Sequence, residues 1–308
     1  MNQFDFDACV VGGGAVGLAC AYSLGRRGLD VVVLEKERAI GQGISSRNSE
    51  VVHGGLYYPT GSLKARLCVG GRRALYAFLE THAVHYHKCG KLVVATDISE
   101  IASLEAIAKQ AQANGVESMA WLSESQVKAR APGLRTVAAL WSPESGVFDS
   151  HGYMSCLAGR IQDLSGTVAV GTPFEGATVM NKGGFTVSAG GASPTRVSVR
   201  CLVTAPGLSA QMAASLINGY PAMTIPQLHY GKGVYFRLMG RAPFEPLIYP
   251  PPIPGALGTH YRRDLGGQAV FGPDLEFVER EDYTVDPTRA ATFEAYIRRF
   301  WPSRPTAH

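Results

Sequence analysis

The most constraining feature of this chain is the run Phe6-Asp7-Ala8-Cys9-Val10-Val11-Gly12-Gly13-Gly14-Ala15-Val16-Gly17, followed by an amphipathic stretch to Gly28 and by Asp30-Val31-Val32-Val33-Leu34-Glu35. Gly12, Gly14 and Gly17 stand in G-x-G-x-x-G spacing. A short apolar run, a helix and a second apolar run ending in an acid then predict a strand–helix–strand unit that binds a dinucleotide. Gly12 permits the tight turn, Gly14 lets the backbone approach a pyrophosphate at the helix N-terminus, and Gly17 lets helix and strand pack closely. Glu35, eighteen residues beyond Gly17, is placed to bond a ribose hydroxyl. An α/β, Rossmann-like fold is the expectation for this part of the chain.

With 308 residues, 46% of them hydrophobic, the chain has material for about two domains. Its 29 basic and 25 acidic residues are interspersed, the basic ones in nothing longer than doublets, so a phosphate-tracking stripe for nucleic acid is not expected. No apolar run approaches the roughly 18 residues needed to span a bilayer, which predicts a soluble or at most membrane-peripheral protein. No basic segment with an apolar core precedes the first strand, so no signal or transit peptide is expected. Six cysteines without C-x-x-C pairing point to a reducing, cytoplasmic setting.

The glycine- and hydroxyl-rich stretch 41–59 reads as a long functional loop. Ser62 is placed to cap a helix over 63–80, with Leu67, Ala74, Leu75 and Phe78 as its apolar stripe and Lys64, Arg66, Arg72 and Arg73 on its polar face. A strand over 91–96, a helix over 101–114, a capping box at Ser123 and Gln126, and a helix over 153–164 follow. Short strands at 167–170, 177–180, 185–188 and 196–199 suggest a meander, and 201–204 reads as a separate buried strand. From Tyr220 the chain turns proline- and aromatic-rich, as an antiparallel sheet of a second domain would. His85, His87 and Cys89 alternate and would share one strand face as metal ligands. No fourth ligand is evident, so a plain strand is the preferred reading and no metal is expected. For Asp149 and His151 a turn and helix cap is preferred.

The segment from Gly41 to Cys68, with Ser45-Ser46-Arg47-Asn48-Ser49-Glu50, His53-Gly54-Gly55, Tyr57-Tyr58-Pro59 and Ser62-Leu63-Lys64-Ala65-Arg66-Leu67-Cys68, closely resembles the L-2-hydroxyglutarate dehydrogenases/oxidases. These are flavoproteins of the D-amino-acid-oxidase superfamily. Ser142-Pro143-Glu144-Ser145-Gly146, Asp149-Ser150-His151, Lys232-Gly233 with Tyr235-Phe236, Gly258-Thr259-His260 and Gly272-Pro273-Asp274 resemble the later motifs, so the likeness covers nearly the whole chain. It shifts the cofactor from NAD to FAD. The cofactor-binding residues it implies are Gly12, Gly14, Ala15, Val16, Gly17, Glu35 and Lys36 at the fingerprint. Gly43, Ser45, Ser46, Arg47 and Asn48 join them from the loop, and Phe174, Ala205 and Gly207 from later strands; Arg47 reads equally as a phosphate clamp or a structural pair. Pro206 departs from the family's usual Ala-Ala-Gly and removes one backbone donor near the flavin.

The resemblance implies oxidation of a 2-hydroxy acid, L-2-hydroxyglutarate to 2-oxoglutarate, with oxygen or a quinone pool as acceptor. Such chemistry needs a hydride acceptor, a base for the hydroxyl proton and cations for the carboxylates. His260 ranks first as base, with His53 the other candidate. Lys232, Tyr57, Tyr235, Lys64 and Arg66 are the candidate carboxylate partners, although Lys64 and Arg66 also read as a solvated helix face. Amine, amino-acid or glycerol-3-phosphate oxidation within the same superfamily, or an inactive flavin-binding remnant, are the alternatives. The expected domains are an FAD-binding one from 1–80 and 145–220 and a substrate one from 81–144 and 221–300, mostly an antiparallel sheet, with a tail at 301–308. Relatives continue with a glycine-rich strand–helix unit that the tail does not resemble. These 308 residues alone are therefore expected to bind FAD weakly, to associate, and to turn over slowly.

Overall fold

A computed structural model of the chain describes residues 3–252 and 259–303. Two compact units emerge, Met1–Ser49 with Asp149–Leu228, and Glu50–Phe148 with His229–His308.

The first unit is built on a seven-stranded sheet. Its centre is parallel: Phe6–Val11 pairs with Val31–Leu34 on one side and with Thr195–Thr204 on the other, and Thr167–Ala169 adds beyond Val31–Leu34. The β-branched residues Val31, Val32 and Val33 are all buried, as a parallel strand covered on both faces requires. The crossover helix Ala15–Gly25 buries Gly17, Leu18 and Ala21. A second helix, Ser150–Asp163, is capped by Asp149, whose carboxylate accepts the Gly152 N–H at 2.8 Å. Two expectations shift. The stretch 195–204 is one ten-residue strand rather than two short pieces. Thr167–Ala169 leaves the meander to pair with the second strand, because its parallel partner is buried and alternation alone does not reveal that.

The second unit is a mixed seven-stranded sheet, in the order Phe236–Arg237, Ala269–Gly272, His260–Arg263, Leu247–Tyr249, Lys91–Ala95, Ala138–Ser142 and Ala120–Leu122. Only the Leu247–Tyr249 to Lys91–Ala95 pairing is parallel. Side chains alternate across the sheet. Leu92, Val94, Ile248, Tyr261 and Phe271 pack on one face with Phe293, Ile297 and Phe300 of the helix Ala290–Phe300. Val93, Ala95 and Leu140 pack on the other with Leu104, Ile107 and Ala111 of Ile101–Ala113. Each such fully buried large side chain contributes about 1.5–3 kcal/mol.

Residues 50–81 belong to this second unit. Val51–Val52 pairs with Gly146–Phe148. The helix Leu63–Thr81, capped by Ser62 Oγ on the Ala65 N–H at 3.1 Å, turns a different face inward from the one its apolar residues suggest. Ala65, Val69, Arg72, Tyr76 and Leu79 are buried, whereas Leu67 is 62% exposed. The deciding residue is Arg72: its guanidinium is buried between Glu117 and Glu144, and the Tyr76 hydroxyl donates to Glu144 O at 3.1 Å. An inward-facing ion pair inverts the pattern that hydrophobicity reads.

Candidate active site

The fingerprint glycines form a cradle at the carboxyl ends of the parallel strands, where Phe6–Val11 has neighbours on both sides and the strand order reverses. Gly12 adopts φ +107°, a conformation that favours glycine, and a Cβ there would lie 2.5 Å from Ala205 O. A Cβ on Gly17 would overlap the Gly12 carbonyl oxygen. One on Gly14 would come within 2.8 Å of Ser45 Oγ. That hydroxyl accepts the Ala15 N–H at 3.0 Å, so the loop and the helix N-terminus are joined. The Glu35 carboxylate is buried at the end of its strand, accepting the Gly13 N–H at 2.7 Å and the Glu37 N–H at 2.9 Å.

Around this turn the loop is held by its own polar groups. Ser46 Oγ donates to Gly43 O at 2.9 Å, and Asn48 Nδ2 donates to Ser45 O at 2.6 Å. Ala205 N donates to Val11 O at 2.8 Å, and Gly207 at φ +58° lies beside Ile44. Phe174 begins the strand Phe174–Val179, and Lys36 is exposed beside Glu37. Exposed Val16 in the first helical turn and Ile44 give the cradle an apolar rim. These residues fit a dinucleotide: the turn excludes side chains where a pyrophosphate would approach, and a buried acid ends the second strand.

In the second unit the two candidate histidines come together. His53 follows the strand Val51–Val52, and His260 opens His260–Arg263. Ile248 pairs with Tyr261 in register, and one residue away the rings of Tyr249 and His260 stack with centroids 3.7 Å apart and planes at 15°. Tyr261, on the opposite sheet face, anchors the strand: it is fully buried and its hydroxyl donates to Phe244 O. Burial holds His53 down to about 3, with the charges of Lys91, His260 and Lys64 acting in the same direction. Its imidazole is therefore neutral at physiological pH and a weak base.

Tyr57 joins this group, its hydroxyl proton held more tightly than usual by burial. Tyr235 lies close to Tyr249 and to the backbone of Gly272. Lys64 is exposed, its Nζ 4.7 Å from the centre of the Tyr58 ring, and Arg66 is also exposed. Lys232 is differently engaged: its ammonium pairs with Asp282, whose carboxyl it holds below the usual range. Gly258, in the same sequence motif as His260, lies outside the described residues, as does the tail from 304. His87 Nε2 sits 3.1 Å from Glu245 Oε1 and Cys89 is buried with Val147 and Leu247; among the described residues no three His, Cys, Asp or Glu side chains converge on a metal position.

Two residues of this cluster escape sequence reasoning. Lys91 is fully buried against the Tyr249 ring, and Arg262 acts on that tyrosine from the next strand. A lysine opening the otherwise apolar Lys91-Leu92-Val93-Val94-Ala95 was the available signal.

The sequence profile of the FAD dependent oxidoreductases matches residues 7–308. The mitochondrial L-2-hydroxyglutarate dehydrogenase of Arabidopsis thaliana is 36% identical over 96% of this chain and 69% of its own length. The chain belongs to the L-2-hydroxyglutarate dehydrogenase family of FAD-dependent oxidoreductases. The Escherichia coli (strain K12) relative of the same name is 30% identical over 96% of this chain and 71% of its own. The chain thus spans about two thirds of the length of these curated relatives. In fold it matches an FAD-bound L-alpha-glycerophosphate oxidase from Mycoplasma pneumoniae, with a TM-score of 0.87 at 22% identity over 97% of this chain and 79% of that one. Glycine oxidase from Geobacillus kaustophilus matches with a TM-score of 0.79 at 19% identity, over 97% of this chain and 78% of that one. The family's cofactor is FAD. No helix among the described residues is long and apolar enough to cross a membrane.

Proposed function

We propose that the chain catalyses FAD-dependent oxidation of a 2-hydroxydicarboxylate, L-2-hydroxyglutarate to 2-oxoglutarate. The observation that carries the reading is the His53–Tyr249–His260 cluster, in a chain whose relatives at 36% and 30% identity are named for that acid. In this reading the first unit holds the cofactor through the Gly12–Gly17 turn, Glu35 and Ser45, and the second unit holds the substrate.

When bound, FAD supplies the acceptor for the hydride leaving C2. His260 takes the hydroxyl proton, and its stacking on Tyr249 fixes the ring plane. His53, kept neutral by burial, is a weak base and serves as a neutral hydrogen-bonding group in the cluster. Tyr57 and Tyr235 orient the substrate, and Lys64 and Arg66 supply peripheral positive charge. Lys232 has Asp282 as its counter-ion and contributes less than its sequence position suggests. Oxygen and a quinone are the electron-acceptor classes admitted. All six cysteines are unpaired, which supports a reducing compartment such as the cytoplasm.

Glycerol-3-phosphate or amine oxidation is the competing reading, since proteins of both kinds share the fold. A phosphate dianion favours clustered arginines, and the buried Arg72 is already engaged by Glu117 and Glu144. Anaerobic mixing of the FAD-loaded protein with L-2-hydroxyglutarate, L-proline or glycerol 3-phosphate, followed at the flavin band, tests the assignment. Bleaching by the hydroxy acid alone is the expected result; bleaching by the amine or the phosphate ester instead refutes it.

A further inference from the structure

Lys91 plays no part in the oxidation described above, yet among the described residues it is the most deeply enclosed charged side chain of the second unit, with no exposed surface. Its position is set by the backbone. Gly90, at φ +71°, turns the chain into the strand, and a Cβ there would run into the Trp141 ring. The Lys91 ammonium nitrogen stands 3.9 Å from the centre of the Tyr249 ring and 5.6 Å from that of Tyr57. Among the described residues, Lys91 Nζ, the Tyr57 hydroxyl, and Nε and Nη1 of Arg262 are buried without a hydrogen-bond partner. Arg262 lies two residues beyond His260 in the same strand and so shares its sheet face.

Buried polar atoms are normally satisfied, and leaving several unmatched in one place is costly unless something completes them. Here every group can donate, and two belong to basic side chains. The complementary group is acceptor-only and anionic, with more than one oxygen to share among them, which describes a carboxylate. The Tyr249 ring that holds Lys91 also stacks on His260, and Lys91 acts electrostatically on His53. The unmatched donors therefore adjoin the candidate acid–base groups rather than some remote surface.

We propose that Lys91, with the Tyr57 hydroxyl and Arg262, forms a buried carboxylate-binding site that takes one carboxylate of the 2-hydroxydicarboxylate substrate. The ligand class rests on the function proposed above; the donor set does not. The groups facing Lys91 are His53 and Tyr57 from the strand Val51–Val52 and its following loop, Cys68 from the helix Leu63–Thr81, Tyr249 from the neighbouring strand, and Cys89 just before its own. Burial brings its ammonium down to about 7, with the two thiols acting the other way. Above that pH an arriving carboxylate restores the charge, so binding takes up a proton.

Calorimetric titration of glutarate, a dicarboxylate without a reacting hydroxyl, into the FAD-loaded protein at pH 8 in two buffers of different ionisation enthalpy measures affinity and proton uptake together. Wild type should take up roughly one proton. Lys91→Met should lose affinity about 10- to 100-fold and lose the uptake, with FAD content unchanged. Unaltered affinity and uptake in that variant overturn the proposal. If Lys91→Met does not load FAD, Lys91→Arg decides, because its guanidinium stays charged: binding without proton uptake supports the site, and persisting uptake overturns it. Proton-linked glutarate binding in a protein that L-2-hydroxyglutarate does not bleach keeps the site and refutes the oxidation. Bleaching that is indifferent to Lys91 does the reverse.

Discussion

Enclosing Lys91 has a thermodynamic consequence that does not depend on any ligand. In the folded chain its ammonium is lowered from 10.5 to about 7. Between those values the unfolded chain therefore binds a proton that the folded chain does not. Stability then rises with pH across the window, and it is lost as the pH falls from about 10.5 toward 7, with no further change from this group below that. One proton held across that window is worth about 1.4 kcal/mol for each pH unit, or about 5 kcal/mol in all. Between pH 7 and pH 9 wild type should gain about 2 kcal/mol from this group, since near pH 7 the folded lysine is itself half protonated. Cys89 is pushed up to about 11 by burial and works in the opposite direction from about pH 9, so a single protein's profile mixes the two. The difference between wild type and Lys91→Met removes that mixture. Urea midpoints of both proteins at pH 7 and pH 9, at one fixed FAD concentration, give it directly. Lys91→Met should be the more stable at pH 7, by about 1–4 kcal/mol, as when other buried charges are replaced by apolar groups of similar volume. Its advantage should shrink by about 2 kcal/mol at pH 9. A variant less stable than wild type at pH 7, or an advantage independent of pH, would show that Lys91 is not an uncompensated buried charge.

Gly17→Ala places a methyl group on the Gly12 carbonyl oxygen, so backbone must shift; a loss of about 1–3 kcal/mol in thermal or urea unfolding and a sharp fall in FAD occupancy after gel filtration are expected. For His53, lowered from 6.5 to about 3, the folded chain declines a proton that the unfolded chain accepts between those values. Stability should fall as pH drops through that range, and His53→Gln should flatten the slope relative to wild type. His260→Ala should slow anaerobic flavin bleaching by L-2-hydroxyglutarate about a hundredfold or more, with weaker effects on glutarate affinity. Weakened binding at an unchanged bleaching rate would move His260 from base to binding group.

The glycine fingerprint was legible because most of its constraint is local: Gly12 turns the chain at a positive φ and Gly17 packs against the Gly12 carbonyl five residues earlier, although Ala205, which also crowds Gly12, comes from far along the chain. The caps at Ser62, Ser123 and Asp149 were legible for the same reason, since each side chain bonds a backbone N–H within the first helical turn. The cluster in the second unit was only half legible. His53 and His260 stand in distinctive motifs, whereas Lys91 and Arg262 look from sequence like ordinary strand residues. What makes them special is the pairing of Leu247–Tyr249 alongside Lys91–Ala95, residues distant in sequence, which no periodicity predicts. Arg72 misled for a related reason: its partners Glu117 and Glu144 arrive from elsewhere in the chain and turn a polar helix face inward.

The most direct test is a single anaerobic turnover of the FAD-loaded protein with limiting L-2-hydroxyglutarate, quenched and analysed for product. We expect 2-oxoglutarate to appear in a one-to-one ratio with flavin bleached, and L-2-hydroxyglutarate to be consumed to match. Flavin that stays oxidised, or that bleaches without forming 2-oxoglutarate, would contradict the oxidation assigned to this chain.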